Sequence, residues 1–315
     1  MNRDDVAWRG YWVAAPTPFG ADGELDEQAF RQLLSLYLSQ GVHGLLVNGT
    51  TGEWFAQSPA ERRRVAEVAV SEVAGQIPVV IGCTSYTPAE TIGLAGHARA
   101  IGADGAASTP PPYVHPSDAE VLAFFQTVTD AVDIPWMIYN WPRGTAVDIP
   151  VTTCVALAAL DRVVALKDST GDELKCAAAC AAVSGTTRFF GRFIHRLGLA
   201  LWRELGGDGN IDGGGLGAPF AVPYFEALWR GDLDEARRLG AQYANLAAQL
   251  VSPDYSGRFA SPTAQLKAAM NLLGQPGTHV RPPLLDLTDP GALRRLGQAL
   301  RTGGLTRAGA GRGVP

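Results

Sequence analysis

Lys167 is the residue whose setting most directly predicts chemistry in this chain. It follows the apolar run Val163–Leu166 and precedes a short polar turn, Asp168–Gly171. This pattern is typical of a buried parallel strand that delivers one functional group at its carboxyl end. Burial disfavours the ammonium form, and a neutral lysine amine can attack a keto group to form a Schiff base. The alternative interpretation is an exposed Lys167–Asp168 ion pair at a strand end.

Two other segments contain groups that suit such chemistry. In Gly49-Thr50-Thr51-Gly52 the flanking glycines allow backbone N–H groups to point at an anion such as a carboxylate, and the hydroxyls can relay protons. The alternative is an ordinary turn. Tyr139 could bring a phenol near the amine and act as proton donor and acceptor once its own proton is relayed to Thr50. Taken alone, Tyr139 could equally be a half-buried core aromatic.

The elements that must position these groups form a repeating pattern from Tyr11 onward. Short apolar runs alternate with amphipathic helical runs, which indicates parallel βα units. The predicted strands are Tyr11–Phe19, His43–Gly49, Pro78–Thr84, Gly105–Pro110, Pro135–Asn140, Val163–Lys167, Arg188–Gly191 and Gly209–Asp212. Eight such units predict a TIM (β/α)8 barrel, in which catalytic groups lie at the carboxyl ends of the strands.

Helices are predicted between the strands and after them. The predicted ranges are Asp26–Gln40, Pro59–Val73, Pro88–Ile101, Ser117–Val132, Val151–Leu160, Asp172–Val183, His195–Leu205, Phe220–Trp229, Asp232–Leu250 and Thr263–Leu273. The last three exceed what a barrel needs and predict a C-terminal helical extension. We therefore expect a barrel over residues 1–217, packed helices over 218–300 and a disordered tail over 301–315.

Composition excludes several classes of protein. The chain has 26 basic and 31 acidic residues, a net charge of -5 and no basic stripe that would indicate nucleic-acid binding. Neither a signal peptide nor a membrane span is evident, so a cytoplasmic location is expected. The four cysteines lack CxxC spacing and are expected to be buried, and the five scattered histidines do not indicate a metal site.

Three motifs together carry a resemblance to a known family. They are Gly49-Thr50-Thr51-Gly52-Glu53, Tyr139-Asn140-x-Pro142 and Leu166-Lys167-Asp168-x-Thr170-Gly171. The chain resembles the dihydrodipicolinate synthase / N-acetylneuraminate lyase family of pyruvate-dependent class I aldolases from about Tyr11 to Leu287. The resemblance implies no metal or organic cofactor and a homodimer or homotetramer.

The resemblance also implies a role for each matching residue. Lys167 would form the Schiff base, Tyr139 would shuttle protons, and Thr50 would be its relay partner. Thr51 would contact the substrate carboxylate, and Gly49, at the start of the same turn, would also lie against the substrate. Tyr113 would complete the relay from a neighbouring subunit, and the backbone carbonyl of Ile211 would face the bound keto acid.

Several residues depart from the family pattern and bear on the substrate. Gly144 stands where the synthase has the arginine that holds the carboxylate of its aldehyde, with Arg143 one position away. This difference weighs against a role in lysine biosynthesis. Trp141 would narrow the mouth of the pocket, and Asp212 would accept a hydrogen bond from a hydroxylated or cationic partner. Interface packing is the alternative for Trp141.

The function expected from the sequence is a lyase that joins or cleaves pyruvate, or another 2-oxo acid, and an aldehyde. A second hypothesis is a dehydratase or deaminase acting on a sugar-derived or hydroxyproline-derived 2-oxo acid through the same iminium. A third is a non-catalytic keto-acid-binding protein. Retention of Lys167, Tyr139 and Thr50 together argues against the third, because a binder needs no proton relay.

Overall fold

Eight parallel strands form a closed barrel in the computed structural model, which describes residues 1–252 and 254–307. The strands are β1 (Gly10–Ala14), β2 (Gly44–Val47), β3 (Val79–Gly82), β4 (Gly105–Ser108), β5 (Trp136–Asn140), β6 (Val163–Asp168), β7 (Arg188–Phe190) and β8 (Gly209–Gly213). Each pairs with the next in chain order, and β8 pairs with β1 to close the ring. The predicted TIM (β/α)8 barrel is confirmed.

The first strand is shorter than predicted. It ends at Ala14 rather than at Phe19. Pro16 and Pro18 lie in the remaining stretch, and a proline has no N–H to donate to a neighbouring strand. The chain therefore leaves the barrel as a loop just above the strand.

Helices surround the barrel and continue beyond it. They are α1 (Glu27–Ser39), α2 (Pro59–Val73), α3 (Pro88–Ala100), α4 (Asp118–Ala131), α5 (Pro142–Thr145), α6 (Val151–Ala158), α7 (Glu173–Val183), α8 (Arg196–Leu205), α9 (Ala218–Arg230), α10 (Leu233–Leu250), α11 (Pro262–Leu272) and α12 (Pro290–Thr302). Short 3-10 turns cover Arg3–Asp5 and Trp54–Ala56. Each predicted helix is present. Ser58 and Ser117 cap α2 and α4 through capping boxes with Glu61 and Glu120.

The C-terminal region is longer and more ordered than predicted. The sequence analysis did not predict α12, whose Gly291 and Gly297 lower intrinsic helix propensity. Packing compensates, because Leu296 and Leu300 are buried in the main core. The disordered tail predicted from 301 is therefore wrong at its start, since α12 ends at Thr302 and Leu305 is buried. Residues 308–315 of that predicted tail lie outside the described residues.

The barrel interior is filled below the level of the strand ends. Trp8 and Trp12 meet edge to face with ring centroids 5.6 Å apart, and Trp12 meets Phe190 at 5.3 Å. Gly44 and Gly105 begin β2 and β4, and a Cβ at either position would collide with one of these indoles. Large side chains thus close the amino end of the barrel, which leaves room for a site at the carboxyl end.

Among the described residues, no helix is both long enough and apolar enough to cross a membrane.

Candidate active site

Lys167 points into the barrel because side chains alternate along β6. Ala165 packs in the interior core and Leu166 in the core outside the barrel, so Lys167 returns to the interior. Asp168 faces outward, where it accepts hydrogen bonds from Asn140 at 3.1 Å and Thr170 at 2.9 Å. The alternative of an exposed Lys167–Asp168 pair is wrong, since these residues are only 7% and 4% exposed and face opposite sides of the strand.

Lys167 also differs from the two other lysines of the chain. Lys175 pairs with Asp148, and Lys267 pairs with Glu53 at 2.5 Å. Within the part of the chain that the structure describes, Lys167 forms no ion pair. Burial lowers the pKa of Lys167 to about 8, although the negative charge of Asp212 opposes this shift. A lysine with this pKa is neutral in a substantial fraction of molecules near neutral pH, which is what a nucleophilic amine requires.

Tyr139 lies directly beside Lys167 on the neighbouring strand. The parallel register aligns the Cα atoms of the two residues, and Lys167 Nζ lies 3.9 Å from the centroid of the phenol ring. Burial raises the pKa of Tyr139, while the hydroxyls of Ser169 and Thr50 oppose the rise. The phenol therefore stays protonated at neutral pH, next to hydroxyls that can exchange a proton with it.

The turn after β2 presents free backbone donors. The Gly52 N–H donates to the Gly49 carbonyl at 3.0 Å, and the Glu53 N–H donates to the Thr50 carbonyl at 3.1 Å. Across the ranges 1–252 and 254–307, the N–H groups of Thr50 and Thr51 have no backbone partner. These two groups are available to an anion such as a carboxylate.

A cleft of about 230 Å³ opens at the carboxyl ends of β2 to β5, and the turn after β2 forms part of its wall. Hydroxyls of Thr50, Thr84, Ser108 and Tyr139 line it, together with Gly49. Hydroxyl groups both donate and accept hydrogen bonds, so the wall suits a small polar molecule. The structure thus brings a buried amine, a protonated phenol and unpaired N–H groups to one end of the barrel.

Aromatic side chains cover the phenol. The Trp141 ring stacks on Tyr139 with centroids 6.0 Å apart, and Tyr255 contacts Trp141 edge to face at 5.4 Å. Trp141 comes from the segment after β5, and Tyr255 from the loop between α10 and α11. Trp141 therefore lies where it narrows access to Tyr139.

Arg143 does not line the cleft at the carboxyl ends of the strands. Its guanidinium forms an ion pair with the Asp254 carboxylate at 3.3 Å and donates to the Asp254 carbonyl. This side chain fastens the loop that carries Tyr255, and the predicted substrate contact at Arg143 stays a prediction. A Cβ at the adjacent Gly144 would collide with the Trp141 indole, so the glycine allows Trp141 to take its position.

Asp212 lies on the outer side of β8. The register aligns it with Val13, which packs in the core outside the barrel, whereas Ile211 packs against the interior. Asn210 donates to Asp212 Oδ1 at 2.7 Å, and the Tyr243 hydroxyl donates to Oδ2. Both oxygens thus have partners within the protein, and the predicted substrate contact at Asp212 stays a prediction. The role predicted for the Ile211 carbonyl stays a prediction.

Tyr113 lies away from the cleft of its own chain. It is 86% exposed in the loop after β4, and its backbone has a left-handed φ of 79°. Such a φ is unusual for a bulky residue and costs conformational energy. Its contribution to a neighbouring subunit's site stays a prediction.

Three residues of the site, Ser169, Tyr255 and Lys267, could not be identified from sequence motifs. Ser169 beside Tyr139 was an unassigned position within a recognised motif. Tyr255 and Lys267 follow the barrel by many residues, and no local pattern links them to the strand ends. Lys267 ends against Glu53 at the turn after β2, and both side chains are almost fully buried. Only the folded chain brings these residues together.

Comparison with known proteins places the geometry in context. The sequence matches the dihydrodipicolinate synthetase family over residues 7–300. A 4-hydroxy-tetrahydrodipicolinate synthase from Methylobacterium radiotolerans is 35% identical over 299 residues, which cover 94% of this chain and 96% of that protein. An uncharacterized DapA-like lyase from Rhizobium meliloti is 31% identical over 290 residues, or 88% of this chain and 90% of that protein. The solved structure of YagE from E. coli K12 in complex with pyruvate has a TM-score of 0.85 and 28% identity, covering 95% of this chain and 100% of that one.

Proposed function

The chain belongs to the dihydrodipicolinate synthetase family and is a lyase, and we propose from this that it joins or cleaves a carbon–carbon bond between a 2-oxo acid and an aldehyde. Pyruvate is the simplest 2-oxo acid for this role, and the related YagE structure contains it. The observation that carries the proposal is the buried Lys167, which has a pKa of about 8 and lies against the ring of Tyr139.

The chemistry begins with the neutral amine of Lys167. It attacks C2 of the 2-oxo acid, and water leaves as the iminium forms. The carboxylate of the acid accepts hydrogen bonds from the free N–H groups of Thr50 and Thr51. Tyr139 supplies the proton that the departing water needs, and its phenolate then takes a proton from C3, because the iminium withdraws electrons from that carbon. An enamine and a neutral phenol result.

Carbon–carbon bond formation follows from the enamine. C3 attacks the carbonyl carbon of the aldehyde, and the resulting alkoxide takes a proton from the phenol of Tyr139. The Thr50 hydroxyl passes a proton back to Tyr139, with Tyr113 of a second subunit as the outer member of the relay. Water then hydrolyses the iminium and releases the product with the free amine. Cleavage follows the same steps in reverse.

Product analysis tests this proposal. The protein is incubated with pyruvate and a panel of aldehydes, and mass spectrometry follows formation of the joined product. We expect product with the wild type and with Lys175→Ala, a control because Lys175 lies in an exposed pair with Asp148, and none with Lys167→Ala. Product from Lys167→Ala, or loss of water or ammonia from a 2-oxo acid without any aldehyde reaction, would argue against it.

A further inference from the structure

A second cleft, of about 330 Å³, lies at the carboxyl ends of β6 and β7. Its walls include Asp168 after Lys167, Arg192 and His195 after β7, and Tyr255 from the loop between α10 and α11. Tyr255 also contacts Trp141, which stacks on Tyr139. This cleft therefore adjoins the aromatic cover of the proposed Schiff-base site.

Arg192 is a cation of this cleft without a counter-ion. Among the described residues it forms no ion pair, and its guanidinium carbon lies 5.4 Å from the Tyr255 ring centroid. Stacking on an aromatic face holds a guanidinium in place and leaves its N–H groups free at the edge. The Tyr255 hydroxyl is buried and has no hydrogen-bond partner in the described chain. Both residues can thus donate to a bound acceptor.

The carboxylates of the cleft are engaged elsewhere. Asp168 accepts from two neighbouring side chains, and Asp172 accepts from the backbone N–H groups at the start of α7. Glu173 lies 3.7 Å from a ring nitrogen of His195. None of these groups lies within ion-pair distance of Arg192, so the guanidinium keeps its charge available to a ligand.

The position of Arg192 follows from the register of β6 and β7. The Cα of Phe190 is aligned with that of Lys167, and Phe190 faces the barrel interior. The Gly191 N–H still donates to the Gly209 carbonyl at 3.0 Å, so the chain continues along the barrel for another residue. Arg192 is two residues beyond Phe190, on the same side and about 7 Å farther along the strand. Through Tyr255 and Trp141, the cleft that contains Arg192 adjoins Tyr139, the neighbour of Lys167.

On the β5 side of the Schiff-base site, neither position 143 nor position 144 offers a cation without a counter-ion. Position 144, where the family pattern has an arginine, is a glycine packed against Trp141. Arg143 is paired with Asp254. On the β7 side of Lys167, by contrast, Arg192 has no counter-ion among the described residues.

We propose that Arg192, with the Tyr255 hydroxyl, binds an anionic group at the far end of the aldehyde partner, either a carboxylate or a phosphate. A guanidinium binds both anions through paired N–H donors. The enzyme therefore selects acidic aldehydes through the loop after β7. This inference rests on the proposed lyase function and adds the class of its second substrate.

Matched aldehydes test the inference. Succinic semialdehyde and butanal differ in a carboxylate, and glyceraldehyde 3-phosphate and glyceraldehyde differ in a phosphate. For each pair, kcat/KM is measured with pyruvate for the wild type, Arg192→Gln, Arg192→Lys and Arg196→Gln. Arg196 is an exposed arginine on α8 that lines neither cleft, so Arg196→Gln is the matched control.

The wild type is expected to prefer the anionic member of one pair, and that pair identifies the anion. Arg192→Gln should lower the anionic-to-neutral ratio about 10- to 100-fold, mainly through KM, because a charge-assisted contact is lost. Arg192→Lys should recover part of the ratio, and Arg196→Gln should leave it unchanged.

Two results overturn the inference. One is a wild type that forms a reducible pyruvate adduct but shows no preference for either anion or uses none of the four aldehydes. The other is an Arg192→Gln variant that keeps the wild-type ratio. Absence of the pyruvate adduct in the wild type is a different failure, since it refutes the proposed lyase function itself.

Discussion

Among single residues, the proposed chemistry depends most on Lys167, because burial keeps its amine partly uncharged. Lys167 is the lysine that ends inside the barrel, and neither Asp168 nor another carboxylate of the described residues pairs with it. Burial without a counter-ion favours the uncharged amine. The same environment raises the pKa of Tyr139, which keeps that phenol protonated. Burial thus favours a neutral amine at Lys167 and a protonated phenol at Tyr139, the forms that the proposed nucleophile and proton donor require.

The pKa of Lys167 predicts how adduct formation depends on pH. Because the neutral amine is the reactive form and its pKa is lowered to about 8, the rate should rise with pH and level off above that value. Below it, the rate should fall about tenfold per pH unit. Initial rates of pyruvate adduct formation, trapped with cyanoborohydride across a pH series, measure this profile. A midpoint near the ordinary lysine value of 10.5 would contradict the assigned environment.

Replacement of Tyr139 tests the proton donor. Tyr139→Phe should lower kcat by about 10²- to 10⁴-fold, the usual contribution of a positioned acid or base. KM for pyruvate should change much less, because the carboxylate is assigned to the turn after β2. Tyr86→Phe is the matched control, since Tyr86 is 57% exposed. Steady-state kinetics distinguish the two effects, and an unchanged kcat in Tyr139→Phe would remove Tyr139 from the mechanism.

The sequence predicts much of this arrangement because side chains alternate along a strand, which fixes the side of the barrel that each residue faces. Lys167 and Tyr139 each follow an apolar run on adjacent strands, so their proximity follows from the barrel topology. The contacts that Arg143 and Asp212 make within the protein could not be predicted in this way. Arg143 meets Asp254 from a distant loop, and Asp212 faces outward onto Tyr243 of α10. Partners so far away in sequence leave no local pattern.

Among the secondary-structure elements, α11 and the loop that follows it hold the turn after β2 in place. Lys267 of α11 pairs with Glu53 at 2.5 Å and donates to the Thr17 and His279 carbonyls at 2.7 Å and 2.6 Å. The backbone N–H of Arg281 donates to Glu53 Oε2 at 3.0 Å. These contacts connect α11 and the following loop to the end of the Thr50-Thr51 turn.

Removal of one member of this buried pair should be costly. Lys267→Met leaves the Glu53 carboxylate buried without its counter-ion, which should lower the free energy of unfolding by about 3–5 kcal/mol. Urea denaturation measures the change. The double variant Glu53→Gln/Lys267→Met should recover much of the loss, because no isolated charge remains.

An exposed ion pair provides the control for that experiment. Arg64 pairs with Glu27 at 2.6 Å and Glu67 at 3.2 Å on the surface of the helices, and Arg64→Gln should leave the free energy of unfolding nearly unchanged. Equal losses in Arg64→Gln and Lys267→Met would contradict the structural role given to the buried pair.

Element boundaries show where sequence patterns reach their limit. Capped helices such as α2 and α4 are predicted well because their first turns contain Ser and Glu at the required spacing. The α12 helix is missed because its two glycines lower the intrinsic helix propensity of the segment, whereas burial of Leu296 and Leu300 against the core stabilises it. Tertiary packing overrides local propensity there.

At the scale of the whole molecule, the site of one chain is expected to be completed by another. Tyr113 is 86% exposed and does not reach its own cleft. If Tyr113 serves a neighbouring subunit, inactive Lys167→Ala and impaired Tyr113→Phe chains should complement each other. A mixed dimer has one site with an intact lysine and the partner's intact tyrosine, so activity should exceed that of either variant alone.

Co-expression of the two variants with different affinity tags tests this prediction. Mixed dimers are isolated through both tags, and their activity is compared with each homodimer. Recovery toward half of wild-type activity per dimer is expected, since one of the two sites is intact. No recovery, with wild-type activity in the Tyr113→Phe homodimer, would show that Tyr113 is not part of the relay.

Mapping a reduced pyruvate adduct tests most directly whether Lys167 forms the Schiff base. The wild type, Lys167→Ala and Lys175→Ala are incubated with pyruvate and borohydride, digested and analysed by mass spectrometry. The chain has three lysines, so the assignment is unambiguous. We predict one adduct on Lys167 in the wild type and in Lys175→Ala, and none in Lys167→Ala. An adduct on Lys175 or Lys267, or none in the wild type, would contradict the account.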